Sequence, residues 1–160
     1  AVAIIGVGVS QQGIFAGSTT GGPLARVADT NTPIPNGIGK FSTLFFNGSP
    51  SVSASGSEVV FKGAGGNGQV GIYLGSTDGT ALAKLIMAGD ALDGRIVSSL
   101  SFGPAGLDGS SLAFEAGFTD GTSGEYVGVF SVPEPSSLAL AGFGAAFVCR
   151  HVRRRSKRMN

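Results

Sequence analysis

GSEVVFKGAGGNGQVGIYLGSTDGTALAKLIMAGDALDG, residues 56–94, decides the fold. Three apolar runs, Val59-Val60-Phe61, Val70-Gly71-Ile72-Tyr73 and Leu82-Ala83-Lys84-Leu85, are separated by Asn67-Gly68 and Asp78-Gly79, and the stretch closes on Asp93-Gly94. Short runs rich in Val, Ile, Leu and aromatics, bounded by turn residues, read as strands rather than helices. Asn-Gly and Asp-Gly tolerate the positive φ of tight hairpin turns, so each dipeptide marks a strand boundary.

The same punctuation extends outward, at Asn36-Gly37, Asn47-Gly48, Asp108-Gly109 and Asp120-Gly121. The runs also repeat. Gln12-Gly13-Ile14-Phe15 returns as Val70-Gly71-Ile72-Tyr73 and, more loosely, as Ser123-Gly124-Glu125-Tyr126. Leu24-Ala25-Arg26-Val27 returns as Leu82-Ala83-Lys84-Leu85, and Gly56-Ser57-Glu58-Val59-Val60-Phe61 as Gly109-Ser110-Ser111-Leu112-Ala113-Phe114. Thr32-Pro33-Ile34-Pro35 stands where Asp90-Ala91-Leu92-Asp93 stands in the next copy, and a Phe-containing strand follows in each, Phe41 to Phe46 and Ile96 to Phe102. The spacing is 53–58 residues. Four strands per copy is the blade plan of a β-propeller, with a period above the usual ~40–50.

The expected fold is all-β: about two four-stranded antiparallel repeats, partial β-propeller-like or sandwich, followed by one short C-terminal hydrophobic helix. The body covers 1–131, with repeats at about 12–68 and 70–130 and the end of an earlier repeat at 1–11, where Val2-Ala3-Ile4-Ile5 resembles a last strand. Two blades cannot close a propeller, which typically needs about four to eight. No charged start with an apolar stretch and cleavage site is visible at Ala1. The expectation is therefore the C-terminal portion of a longer exported protein, with a stand-alone two-repeat sandwich as the alternative.

Charge divides the chain. Five cations and ten anions before residue 150 give the body −5, while Arg150, Arg153, Arg154, Arg155, Lys157 and Arg158 give the tail +6. The body has no clustered Lys/Arg for nucleic acid, which excludes that partner class. The tail, residues 132–158, reads VPEPSSLALAGFGAAFVCRHVRRRSKR. A Pro133-Glu134-Pro135 turn precedes an uncharged apolar run from Ser136 to Cys149, marked by Leu138, Leu140, Phe143, Phe147 and Val148, and the basic block follows. An apolar segment ending in cations is a membrane stop with its basic end cytoplasmic. As a helix, 136–149 would span about 21 Å against a hydrocarbon core of about 30 Å. That is short for a permanent anchor and adequate for a segment that is later cut.

This tail resembles the PEP-CTERM sorting signal of exported Gram-negative proteins, a region also labelled ice-binding protein C-terminal domain. The resemblance covers Val132 to about Arg158. It implies that Pro133, Glu134 and Pro135 are read by exosortase, a membrane protease-transpeptidase. It also implies that 136–149 holds the chain in the inner membrane and that Arg150 to Arg158 lie in the cytoplasm until the protein passes to the cell surface or extracellular space. It transfers no ice-binding activity. Over about residues 12–130 the body is similar to repeat regions found upstream of such tails, through Gly71-Ile72-Tyr73, Leu82-Ala83-Lys84-Leu85 and Gly89-Asp90-Ala91-Leu92-Asp93-Gly94. That similarity implies a propeller-like fold without enzymatic activity.

Chemistry in the body is restricted. The single His151 and single Cys149 both lie in the tail. A Ser-His-Asp or Cys-His site and a His- or Cys-ligated zinc are therefore not available to residues 1–131, and no intrachain disulfide can form. Asp90 and Asp93, between Gly89 and Gly94, are weak calcium candidates; the EF-hand spacing is absent, and turn chemistry is the default explanation for them. Gly63-Ala64-Gly65-Gly66-Asn67-Gly68 lacks the Lys-Ser/Thr of a phosphate loop and reads as a hairpin loop. Tyr73, Tyr126 and the phenylalanines fall on strands and read as core. No pair of carboxylates stands out as a glycosidase pair. No cofactor is expected.

Two functions fit. One is a non-catalytic exported surface or matrix protein, with extracellular polysaccharide as a candidate partner. The other is the C-terminal part of a secreted carbohydrate-active or other hydrolytic enzyme whose active site lies upstream.

Overall fold

The computed structural model describes residues 1–8, 11–45 and 50–130, and the backbone of 148–151. It is all-β over these residues, with every ladder antiparallel. The first sheet is β1 (Val2–Val7), β2 (Gln12–Gly17) and β3 (Ala25–Asp29) in that order. In the second, β4 (Phe41–Leu44), β6 (Glu58–Gly65), β7 (Val70–Ser76) and β8 (Leu82–Met87) lie side by side, and the two-residue β5 (Ser51–Val52) pairs with β6. The third sheet runs β14-β13-β12-β10-β9: Val148–His151, Ser123–Val129, Ser111–Phe118, Arg95–Ser101 and Ala91–Leu92. The short β11 (Leu107–Asp108) is paired on β12.

The turns close where Asn-Gly and Asp-Gly stand. Gly68, Gly79, Gly109 and Gly121 have positive φ in the links β6–β7, β7–β8, β11–β12 and β12–β13, and Asp93 (φ 54°) and Gly94 (φ 72°) form the β9–β10 turn. Asn47-Gly48 lies outside the described residues. The glycine-rich 63–68 stretch is only half a turn, because Gly63-Ala64-Gly65 is the end of β6. The ring of Phe41 and the side chain of Ile34 press on it there, and a Cβ on Gly63 would stand 2.8 Å from Phe41 Cε1.

The sheets are offset from the 12–68 and 70–130 sequence copies. β4 and β6 come from the first copy and share a sheet with β7 and β8 of the second, joined through the β6–β7 ladder. One register recurs in all three sheets: Ile4↔Phe15↔Arg26, Phe61↔Tyr73↔Lys84 and Phe114↔Tyr126↔His151. Gly-x-aromatic recurs for a steric reason. The Tyr73 ring covers Gly71 so closely that a Cβ there would meet its Cζ at 2.9 Å, and Phe15 covers Gly13 and Tyr126 covers Gly124 in the same way.

The sheets stack face to face through two apolar clusters. Ile14, Ala16, Val27 and Ala28 of the first sheet meet Phe41, Val59, Phe61 and Tyr73 of the second. Val60, Ile72, Leu74, Leu85 and Ile86 of the second meet Val97, Leu112, Phe114, Phe118 and Tyr126 of the third. The middle sheet is thus covered on both faces, and its central strands are buried almost continuously; β12 alternates buried and exposed residues because only one of its faces is covered. Phe61 stacks on Tyr73 at 5.7 Å and Phe114 on Tyr126 at 5.8 Å, the same pair in the same place. Phe130, also buried, closes the body, its N–H donating to the Ser110 carbonyl at 3.0 Å.

Candidate functional site

Most polar residues at the turns serve the turns. Asp78 Oδ1 accepts from Thr80 N–H (3.0 Å) and Oγ1 (2.7 Å), and Asp120 Oδ1 accepts from Thr122 N–H (2.9 Å) and Oγ1 (2.5 Å). Hydrogen bonds from Ser76 and Thr80 hold the Asp78 carboxyl down to about 2, and those from Thr122 lower Asp120. Burial would raise the Asp29 carboxyl. Hydrogen bonds from Thr32 and Asn31 and the nearby Arg26 guanidinium outweigh it, and the group lies below its ordinary value. Tyr73 is pushed up to about 12 by burial and then by the charge of Asp90, so it is a core phenol and not an acid near neutral pH.

The calcium candidates occupy one turn region but do not share a pocket of oxygens. Asp90 Oδ1 accepts from Lys84 Nζ at 2.9 Å and its Oδ2 from the Met87 N–H at 2.8 Å. Asp93 Oδ2 accepts from Arg95 NH2 at 3.1 Å. Arg95 also lies over the Phe118 ring at 3.8 Å and donates to Tyr126 Oη at 2.6 Å. These carboxylates are matched by cations of the chain itself. Among the described residues no three His, Cys, Asp or Glu side chains converge on a metal position.

The outer face of the third sheet carries a different cluster. A groove of about 450 Å³ is lined by Ser101, Phe102, Ala113, Glu115, Glu125 and Val127. Glu115 and Glu125 are direct cross-strand partners, and Ser101 Oγ donates to Glu115 Oε2 at 3.3 Å. Like charges directly opposite one another weaken a ladder. Sequence reasoning passed over the pair. Its signal lay in the loosest copy, where Glu125 stands in the place of Ile14 and Ile72, and Glu115 in the place of Lys62.

The sorting residues sit beyond Phe130. Pro133, Glu134, Pro135, Leu138, Leu140, Phe143 and Phe147, with Arg153, Arg154, Arg155, Lys157 and Arg158, lie outside the described residues. So does the expected helix over 136–149 as far as residue 147. Its last two residues, Val148 and Cys149, begin β14, which continues through Arg150 and His151 and pairs with β13, Val129↔Val148 to Tyr126↔His151. Among the described residues no helix is long and apolar enough to cross a membrane.

Fold and tail together define an all-β body carrying a C-terminal sorting segment. Residues 131–155 match the PEP-CTERM protein-sorting motif, which marks an exported protein processed by exosortase, a membrane enzyme. No curated protein and no solved structure matches the chain.

Proposed function

We propose that this chain is a non-catalytic cell-surface or extracellular-matrix protein. Its tail holds it in the inner membrane, basic end in the cytoplasm, until exosortase cuts at or near Pro133–Pro135. The observation that carries the reading is position. The sorting motif begins at residue 131, directly after Phe130, the last buried residue of the body. A cut there removes the address and leaves both apolar clusters whole, with only β14 lost from the sheets. In the membrane-held form 136–149 is a short spanning helix, and Val148 and Cys149 leave β13 to join it. The body is read as propeller-like, supported by the blade-like order β4-β6-β7-β8 and by the register shared by three stacked sheets. Extracellular polysaccharide is its candidate partner.

Replacing Pro133, Glu134 and Pro135 with alanine tests this reading. The variant is expected to keep its tail and remain in the inner-membrane fraction. A variant that loses the tail and reaches the surface like the parent protein would overturn it. A second reading, the C-terminal part of a hydrolytic enzyme, has one observation in its favour, the Glu115–Glu125 pair in an open groove. Glycoside hydrolysis abolished by Glu115→Gln and Glu125→Gln would replace the passive reading.

A further inference from the structure

The outer place of each sheet is filled from the body in two cases and from the tail in the third. In the first sheet β3 stands beyond β2, with Arg26 opposite Phe15, and in the second β8 stands beyond β7, with Lys84 opposite Tyr73. The equivalent place in the third sheet is held by β14, which runs along β13 from Tyr126↔His151 to Val129↔Val148. β3 and β8 belong to the body, whereas β14 lies inside the sorting match at 131–155. The third sheet therefore takes its last strand from the segment that exosortase cutting would remove.

The strand beneath β14 is not finished as an edge. β3 and β8 each carry a cation, and each meets its neighbour through a shift of register, between Ile14 and Phe15 and between Ile72 and Tyr73. Charges and irregular ladders both keep a sheet edge from taking another strand. β13 has no Lys, Arg or Pro, and its ladder with β12 runs unbroken from Ser123 to Val129. Its backbone groups are already aimed outward. The Phe130 N–H donates to the Ser110 carbonyl at 3.0 Å, and the Thr122 carbonyl accepts from the Phe118 N–H at 2.8 Å, so the even-numbered residues turn toward β12. Alternation along the strand then turns the N–H and C=O of Glu125, Val127 and Val129 toward β14. When β14 leaves, these groups form a bare antiparallel template.

We infer that the outer edge of β13 is an assembly surface, covered by β14 in the intact chain and taken by β13 of a second copy once the tail has left. The inference rests on the proposed processing of the tail. The strand is complementary to itself. A two-fold axis at Val127 sets Val127 opposite Val127, each Glu125 opposite a Val129 and each Tyr126 opposite a Gly128. All the outward N–H and C=O groups of Glu125, Val127 and Val129 then find partners. The two glutamates do not face each other, an arrangement that would weaken the ladder, and Gly128 has no side chain to meet Tyr126. The contact uses the same surface on both copies, so it closes at two and leaves no template for a third. While β14 is in place the edge is closed.

A full chain in which a specific-protease site replaces residues 131–135, folded first and then cut, tests this. In analytical ultracentrifugation the cut body is expected to run as two chains above the low-micromolar range and as one on dilution. Val127→Pro removes an outward N–H and leaves the β12 ladder alone, and it is expected to weaken association at least about 10-fold. Val127→Thr keeps the N–H and should keep the dimer. Hydrogen exchange gives a second readout that needs no variant. The Val127 and Val129 amides should be protected before the cut, open in the dilute cut body and protected again in the dimer. Circular dichroism identifies a Val127→Pro chain that has unfolded, and exchange then decides the case. A cut body that stays monomeric, that keeps the released tail on β13, that dimerises equally well with folded Val127→Pro, or that grows beyond two chains would overturn the inference. An added protease makes the cut, so these results do not depend on exosortase; surface protein that retains its tail would count against the processing alone.

Discussion

The body and the tail carry information of two different kinds. In the body, Phe61 matters because Tyr73, Phe41 and the first sheet surround it, and those partners come from distant points of the chain. In the tail, a turn, an apolar run and a basic block follow one another within 27 residues, and their order alone carries the message. The difference teaches that the two parts fail differently. On the proposed reading, damage to the body is a loss of packing, whereas damage to the tail is a loss of address that touches the sheets only through the β13–β14 ladder.

The comparison breaks most severely with a core truncation. Phe61→Ala removes a fully buried ring from between two sheets and is expected to cost about 3–5 kcal/mol, read as a lowered midpoint in urea with the slope unchanged. Gly79→Ala comes next. Gly79 has φ +75°, and a Cβ there would stand 2.3 Å from the Arg26 carbonyl oxygen, where the β7–β8 turn meets the first sheet. Its expected cost is roughly 1–3 kcal/mol on the same measurement.

Acid should weaken the body by a smaller amount. The folded values of Asp29, Asp78 and Asp120 lie below the ordinary 3.8, so the folded state favours their ionised forms. Their stabilisation is complete above the unfolded value and is lost as pH falls through the folded ones, for Asp78 between 3.8 and about 2. Thermal midpoints should therefore fall below about pH 4 and change little from about pH 5 to 8 as far as these groups are concerned. Asp78→Asn should flatten part of that acid limb. The smallest effect on stability belongs to the tail. Neutralising Arg150, Arg153, Arg154 and Arg155 is expected to shift the body's midpoint by less than about 0.5 kcal/mol while leaving the protein mis-sorted on fractionation. A large loss of stability would show that the body depends on its tail.

The all-β class and the sorting motif were legible because both are local. Asn67-Gly68, Asp78-Gly79 and Asp93-Gly94 specify turns from two residues each, and VPEP followed by an apolar run and arginines needs no partner elsewhere. The stacking of the sheets was less so. The run Val59-Val60-Phe61 is buried on both faces because sheets lie on either side of it, which no local period reports. β5, β9 and β11 are two residues long, too short for an alternation to register. The Glu115–Glu125 pair arises from a β12–β13 register that joins residues ten apart, and only the replacement of Ile by Glu125 hinted at it.

The central claim is that the tail is an address removed from a self-sufficient body. Mass spectrometry of the protein recovered from the surface fraction tests it most directly. The account predicts a mature C-terminus near Pro133–Pro135, with β1 to Phe130 retained. Surface protein that still ends at Asn160 would contradict it.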